Sequence, residues 1–151
     1  MLKRVPDFIG ADLLWVLGAM GHGDTLVLAD RNFPAYAIAA RTVSGRLVQL
    51  PGRDASAAVR GILELLPLDS FVDAPLSWMD PVDAPCTVLP VHAEVLAACR
   101  YAEGREIGYA PIERHAFYAA AAGGFAVVQT SESRPYGCFL LKKGVVFDAA
   151  P

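Results

Sequence analysis

Clustered positive charge is missing from this sequence. Charged residues make up 19% of its 151 residues, against about 25% in an average soluble domain. The formal net charge is −3, and lysine and arginine never occur more than two in a row. A surface that binds nucleic acid or anionic lipid needs a basic patch. We therefore expect neither nucleic acid nor a membrane as a partner.

Long apolar segments are missing as well. The longest weakly polar stretch, residues 116–128, has 13 residues, fewer than the roughly 20 that a membrane-spanning helix needs. The N-terminal segment MLKRVPD has no apolar core of the kind that secretory signals carry. We therefore expect a cytoplasmic protein without a signal peptide.

Cysteine is scarce, and the common cofactor motifs are absent. The three cysteines, Cys86, Cys99 and Cys138, are odd in number and show no C-x-x-C spacing. This pattern argues against a disulfide framework and a zinc site and predicts buried, reduced thiols. The P-loop, H-E-x-x-H and G-x-S-x-G motifs do not occur, and the three histidines lack metal-ligand spacing. We therefore expect neither a metal nor any other cofactor.

Apolar residues are abundant instead. They make up 54% of the chain, against about 45–50% in typical soluble proteins. We assign part of this surplus to a subunit interface, which favours a homo-oligomer. The length fits a single domain over residues 1–151.

Helical and strand-like segments alternate along the chain. Leu13, Val16 and Leu17 repeat at helical spacing in a predicted helix over residues 11–20. The apolar run TLVLA, residues 25–29, is typical of a strand buried on both faces. This alternation predicts an α/β layer domain. Further helices are predicted over residues 54–66, 92–101 and 112–122 and further strands over residues 76–79, 106–109, 125–130 and 138–144, with residues 31–36 in a loop and Pro111 at a helix start.

The two most polar stretches that contain glycine or proline, residues 21–34 and 130–138, both flank predicted strands. Ligands of α/β sheets bind beyond the carboxyl ends of the strands, so these two stretches are expected to build one pocket.

The stretch GAMGHGD places His22 among glycines. Its glycine order does not fit a dinucleotide loop, because it follows a helix and precedes a strand. Histidine exchanges protons near neutral pH, so His22 is either a proton-transfer residue or part of a helix-end turn. Asp24 either orients the imidazole or accepts a hydrogen bond at the helix end, and Asp30 closes the following strand.

Several stretches resemble the family that contains L-fucose mutarotase and D-ribose pyranase. They are MGHGDTLVLAD, NFPA, IERHAFY, FAVV and YGCFLLKKGV, and they fall within residues 5–36 and 110–146. The middle matches only in general layout, with LLPLDSFV similar to the fucose branch. The resemblance implies a three-layer α/β/α domain with a mixed central sheet. It also implies ring-like oligomers, typically decamers, with sites near subunit boundaries.

The resemblance also implies roles for individual residues. By the family pattern His22 is the proton donor and Asp30 binds sugar hydroxyls. Arg114 stands where the fucose branch carries arginine and the ribose branch carries histidine, which favours a fucose-like substrate. Tyr136 and Gly137 match the sugar-binding Y-G-N stretch. In that stretch Cys138 replaces the family asparagine, so one contact to the sugar is in doubt.

The expected function is therefore a cofactor-independent mutarotase that interconverts the α and β anomers of L-fucose or a related monosaccharide. Acid and base groups suffice for ring opening. Two alternatives stay open: a D-ribose pyranase, and a sugar-binding or transport accessory protein without turnover, which the missing asparagine favours. Phe33, Trp78, Tyr109 and Tyr118 form either an apolar platform for the sugar or part of the core or interface.

Overall fold

The computed structural model describes residues 2–147. None of the helices in that range is long and apolar enough to cross a membrane. In chain order the elements are α1 (Ala11–Ala19), β1 (Thr25–Ala29), α2 (Ala35–Ala39), β2 (Leu47–Leu50), α3 (Ala55–Ile62), β3 (Leu76–Met79), α4 (Pro90–Glu103), β4 (Tyr109–Ile112), α5 (Arg114–Ala122), β5 (Ala126–Thr130) and β6 (Phe139–Lys142).

The strands form a six-stranded mixed sheet in the order β2-β5-β1-β6-β3-β4. β6 runs antiparallel to both of its neighbours, β1 and β3, whereas the other neighbouring pairs are parallel. The carboxyl ends of five strands therefore meet the beginning of β6 at one edge, which we call the carboxyl edge. The beginnings of the five parallel strands and the end of β6 form the opposite, amino edge.

Helices cover both faces of the sheet, because successive side chains of a strand point to opposite sides. Leu26 and Leu28 of β1 belong to a core packed against α1, α3 and α4. Val27 and Ala29 belong to a second core packed against α2 and α5. The predicted three-layer α/β/α architecture with a mixed sheet is confirmed.

Most predicted elements are found close to their expected bounds, but two predictions were wrong. β4 begins at Tyr109 and contains Pro111, which we had placed at a helix start. Proline is tolerated there because β4 is an edge strand, where a missing N–H donor costs no pairing. The following helix begins later, since the Glu113 carboxylate accepts hydrogen bonds from two N–H groups of its first turn. The segment 31–36 is not all loop, because α2 begins at Ala35.

Candidate functional site

An open pocket lies at the carboxyl edge of the sheet. Asp30 follows β1, Met79 ends β3, Arg114 follows β4 and Cys138 precedes β6, so the topology brings all four together. The pocket has a volume of about 250 Å³. Its other lining residues are Asn32, Phe33, Tyr118, Pro135 and Tyr136. The loops after β1 and β5 thus share this pocket, as expected, although residues 21–24, at the start of the first polar stretch, lie at the amino edge.

Asp30 is the buried acceptor of the pocket, with 6% of its surface exposed. The backbone N–H of Asn32 donates to Asp30 Oδ1 over 2.9 Å and fixes the carboxylate. The buried Cys138 lies against Asp30, and burial, reinforced by the Asp30 charge, raises the pKa of its thiol well above the ordinary value. Cys138 is therefore a neutral thiol and lacks the lowered pKa of an activated nucleophile.

Arg114 supplies donors at the exposed rim of the same pocket. A guanidinium has five N–H donors in a planar fork, whereas an ionised carboxylate only accepts. Arg114 and Asp30 can therefore bind several hydroxyl groups of one small ligand at once.

Two aromatic rings form the apolar wall of the pocket. Phe33 and Tyr118 have ring centroids 5.6 Å apart, and Phe33 meets Phe117 edge-on at 6.1 Å. Trp78 and Tyr109, the other two rings that the sequence suggested, stack on each other at 4.3 Å and do not line this pocket. Trp78 is a core residue, with 1% exposure.

The loop after β5 is held from behind by a cluster of ion pairs. Arg134 donates to Glu94 of α4 over 2.8 Å and to Glu132 over 2.9 Å. Hydrogen bonds from Arg134 lower the pKa of the buried Glu132 to about 2. Gly137 is not among the residues that line the pocket, and an added Cβ there would come within 2.7 Å of the Glu132 side chain. This close approach gives a packing reason for glycine at that position.

Tyr136 adopts a left-handed backbone conformation with a φ of 61°, and a buried histidine holds it there. Nδ1 of His92 accepts from the Leu89 N–H over 3.3 Å, so Nε2 carries the proton and donates to the Tyr136 carbonyl over 3.0 Å. Burial lowers the pKa of His92 below its ordinary value, which keeps this tautomer neutral. His92 therefore supports the loop that carries Tyr136 although it does not line the pocket.

His22 lies at the opposite, amino edge, in the loop between α1 and β1. Its side chain is 48% exposed, and Nε2 lies 3.2 Å from Oδ1 of Asp69, whose side chain is 3% exposed. The ring meets Phe71 edge-on at 5.5 Å. The carboxylate of Asp24 does not pair with the imidazole. It accepts a hydrogen bond from the Gly21 N–H over 2.7 Å. Of the two roles left open for Asp24, the structure shows the helix-end acceptor.

Lys143, just after β6, holds the loop that carries His22. Its ammonium group donates to the carbonyls of Leu17 and Met20 at the end of α1, where a cation is favoured by the helix dipole. Its backbone carbonyl accepts from Gly23, and its N–H donates to the Asp24 carbonyl. These contacts connect Lys143 of the KKG stretch, residues 142–144, directly to the loop that contains the GHGD motif.

The structure does not bring His22 to the Asp30 pocket of the same chain. The five residues of β1 separate the two sites, which at about 3.3 Å per residue is roughly 17 Å. Proton transfer requires heavy atoms about 2.6–3.2 Å apart. Asp30, Arg114, Tyr136 and Cys138 therefore form one group, and His22 with Asp24 forms another.

Three supporting residues were missed by sequence reasoning. Asp69 lies in the LLPLDSFV stretch, which was noted only for its resemblance to the fucose branch. The signal that could have identified it is a single aspartate in an otherwise mostly apolar stretch. His92 has the matching signal of a histidine on the apolar face of α4. Lys143 has no distinguishing local pattern, because its partners lie on α1 and the loop that follows it.

The three cysteines differ in their surroundings. All three cysteines are free, but only Cys99 and Cys138 are buried, so the prediction for Cys86 was wrong. Cys86 lies in an exposed loop, where its N–H donates to the Asp80 carboxylate. Burial raises the pKa of the Cys99 thiol to about 12. Across residues 2–147, no group of three or more His, Cys, Asp or Glu side chains is placed to hold a metal ion.

Comparison with known proteins gives matches over nearly the whole chain. The model of the RbsD / FucU transport protein family matches residues 3–146. The fucose mutarotase of Homo sapiens is 39% identical over 148 residues, which cover 96% of this chain and 94% of the human protein. The L-fucose mutarotase of Actinobacillus pleuropneumoniae serotype 5b is 37% identical, with 96% and 97% covered. The crystal structure of the fucose mutarotase from Streptococcus pneumoniae in complex with L-fucose superposes with a TM-score of 0.84 at 33% identity, covering 97% of this chain and all of the other.

Proposed function

The chain belongs to the RbsD / FucU family, and on that basis we propose that it is a mutarotase that interconverts the anomers of L-fucose or a closely related monosaccharide. Relatives named L-fucose mutarotase match it over most of their length. The single observation that supports this function best is the pocket at the carboxyl edge. It combines a buried carboxylate, a guanidinium and an aromatic wall in about 250 Å³.

The pocket is suited to a monosaccharide. It is smaller than the roughly 300–1,000 Å³ of pockets for drug-sized ligands. Asp30 accepts hydrogen bonds from hydroxyls, Arg114 donates to them, and Phe33 with Tyr118 offers an apolar face for the C–H side of a sugar ring. Arg114 instead of a histidine favours the fucose-like substrate over ribose.

The reaction needs only proton movements at two oxygens. When the pyranose opens, the ring oxygen takes a proton while the anomeric hydroxyl loses one, and the reverse steps close the ring on either face. We assign the donation to the ring oxygen to His22. Asp30 and Arg114 would hold the sugar, and Tyr136 and Cys138 would complete its surroundings.

We propose further that each site is shared by two copies of the chain. His22 cannot reach a sugar in the pocket of its own subunit, because β1 lies between them. A neighbouring copy that places its own His22 over the pocket resolves this separation. The family resemblance points the same way, towards ring-like oligomers with sites near subunit boundaries.

The surroundings of His22 support such a contact. Phe71, Val146 and Phe147 are 66%, 74% and 68% exposed, and Leu65 is 37% exposed. Phe71 touches both the His22 ring and the Phe147 ring, and Leu65 shares a cleft with Val146. Contiguous exposed apolar surface of this kind marks interaction sites. We name these four residues the apolar patch and propose that a second copy covers it.

Saturation-transfer NMR on equilibrated sugars tests the activity. We expect the protein to accelerate anomer exchange of L-fucose more than that of D-ribose, galactose or glucose. If the protein accelerates the exchange of none of these sugars, the enzyme function is refuted and a binding protein is favoured. Faster pyranose–furanose exchange of D-ribose would favour the pyranase. The variant His22→Ala should lose exchange while it still binds L-fucose. Unchanged exchange would remove His22 from the reaction.

Mixing two inactive variants tests the shared site. His22→Ala keeps the pocket, and the double variant Asp30→Asn with Arg114→Ala keeps His22. Each alone should be inactive. In assemblies formed from equal amounts by co-expression, about a quarter of the sites combine an intact pocket with an intact His22 from its neighbour. Recovery of roughly that fraction of activity is expected, and no recovery in intact mixed assemblies would refute the shared site.

A further inference from the structure

Asp69 is a buried carboxylate whose partner is an exposed imidazole. Its surface is 2% exposed, whereas nearly half of the His22 side chain is exposed, and Oδ1 lies 3.2 Å from Nε2. A buried carboxylate is costly unless it is paired and hydrogen-bonded. The partner here is a side chain that exchanges protons, rather than a lysine or an arginine.

Three hydrogen bonds besides the contact with His22 fix the position of Asp69. The N–H of Phe71 donates to the same Oδ1 over 3.0 Å. The Asp69 N–H donates to the Lys142 carbonyl over 3.0 Å, and the Asp69 carbonyl accepts from Arg105 over 3.2 Å. The hydrogen bond from Phe71 lowers the pKa of Asp69, so the carboxylate stays ionised. The result is a rigid acceptor, which can set the direction of a ring.

The contact also decides which ring nitrogen is free. An ionised carboxylate only accepts, so Nε2 of His22 must carry a hydrogen. Within residues 2–147, no hydrogen bond is made to Nδ1, and the ring packs edge-to-face with Phe71 at 5.5 Å. We propose that Asp69 is the positioning residue of His22, and that Nδ1 is the nitrogen that exchanges the proton with the sugar.

This inference rests on the proposed function, and the proton transfers that it assigns to ring opening balance. The imidazolium gives its Nδ1 proton to the ring oxygen as the bond from that oxygen to the anomeric carbon breaks. The anomeric hydroxyl loses its proton to water, and the open-chain aldehyde forms. His22 is left neutral, with its remaining hydrogen on Nε2 and donated to Asp69 Oδ1. Ring closure reverses each step, so the protein is unchanged after one cycle.

The experiment compares two nearby carboxylates. Asp69→Asn keeps the shape and an oxygen for the Phe71 N–H but removes the charge, and Asp69→Ala removes the contact. Asp24→Asn is the matched control, because Asp24 lies two residues from His22 but binds the Gly21 N–H. Exchange of L-fucose gives kcat and KM for each variant. ¹⁵N NMR of the ring nitrogens of His22, without sugar, gives its tautomer.

We expect Asp69→Asn and Asp69→Ala to lower kcat at least about tenfold, as misdirected proton transfer should, with KM within about twofold, because the sugar is held at the other edge. The wild type and Asp24→Asn should show the Nε2-protonated tautomer, and Asp69→Ala, which removes the acceptor oxygen, should lose it.

An unchanged kcat in the folded Asp69 variants would overturn the proposal. A lowered kcat in Asp69→Ala with the wild-type tautomer would overturn it too, since Asp69 would then act only on the fold. The NMR result is independent of activity. If the wild type exchanges no sugar, the proposed function fails, whereas an Nδ1-protonated wild-type His22 refutes the role of Asp69 alone.

Discussion

Replacing His92 by phenylalanine should destabilise the protein by an amount that follows from its contacts. Phenylalanine can keep the stacking on Trp78, whose ring lies 4.7 Å from that of His92, and the edge contact with Phe139. It removes the hydrogen bonds with the Leu89 N–H and the Tyr136 carbonyl. Each backbone group left without a partner costs about 1–3 kcal/mol. Because both belong to half-buried residues, we expect a loss of about 2–4 kcal/mol, or roughly 5–15 °C in Tm.

The pH dependence gives a second, independent readout. Burial lowers the pKa of His92 in the folded state, so the unfolded chain binds the proton first as the pH falls. The contribution of His92 is complete above about pH 6.5 and is lost as the pH falls towards the folded pKa. Phenylalanine should remove this part of the slope.

Urea unfolding at several pH values, with His115→Phe as the control at an exposed histidine, measures both effects. A loss below about 0.5 kcal/mol, or a slope equal to that of the wild type, would refute the assigned hydrogen bonds. Because Tyr136 lines the pocket, KM for L-fucose should also rise in His92→Phe and not in His115→Phe.

Further expectations concern four other positions. Arg114→Lys should raise KM for L-fucose about tenfold or more with a smaller effect on kcat, because lysine lacks the planar fork; an unchanged KM in the exchange assay would show that Arg114 does not bind the sugar. Cys138→Asn should improve L-fucose turnover if a side-chain amide is what the pocket lacks, and equal turnover would assign the contact to the backbone. Glu132→Gln should flatten the acid limb of stability, since a folded pKa of about 2 means that the wild type loses this contribution between about pH 4.5 and 2; identical acid unfolding curves would contradict that. Lys143→Met should lower kcat by loosening the His22 loop, whereas wild-type kcat would show that the loop stands without it.

Local patterns explain why much of the fold was predictable. β1 and β3 have the predicted bounds, because short apolar runs between turn residues admit few other structures. β4 was misplaced because its sequence YAPI carries a proline, and only its position at the sheet edge makes that proline acceptable. The short helix α2 was missed because Pro34 predicts a loop and five residues are too few for a helical period.

The candidate site, like the fold, was predictable from the sequence only in part. Asp30, Arg114, Tyr136 and Cys138 were named from the sequence, and the structure places all four around one pocket. Their shared position follows from topology, because each lies next to a strand end at the carboxyl edge. Asp69 and His22 are 47 residues apart, so no local pattern connects them.

The sequence by itself determined the α/β class and most of the elements, because periodicity is a local property, and its resemblance to the family named four of the residues that line the pocket, Asp30, Arg114, Tyr136 and Cys138. Only the tertiary structure decided that the partner of His22 is Asp69 and not Asp24, and that His92 holds the Tyr136 backbone. These relations depend on strand order and on which loops meet at each edge of the sheet. Such contacts join residues far apart in the chain, and a short stretch of sequence carries no record of them.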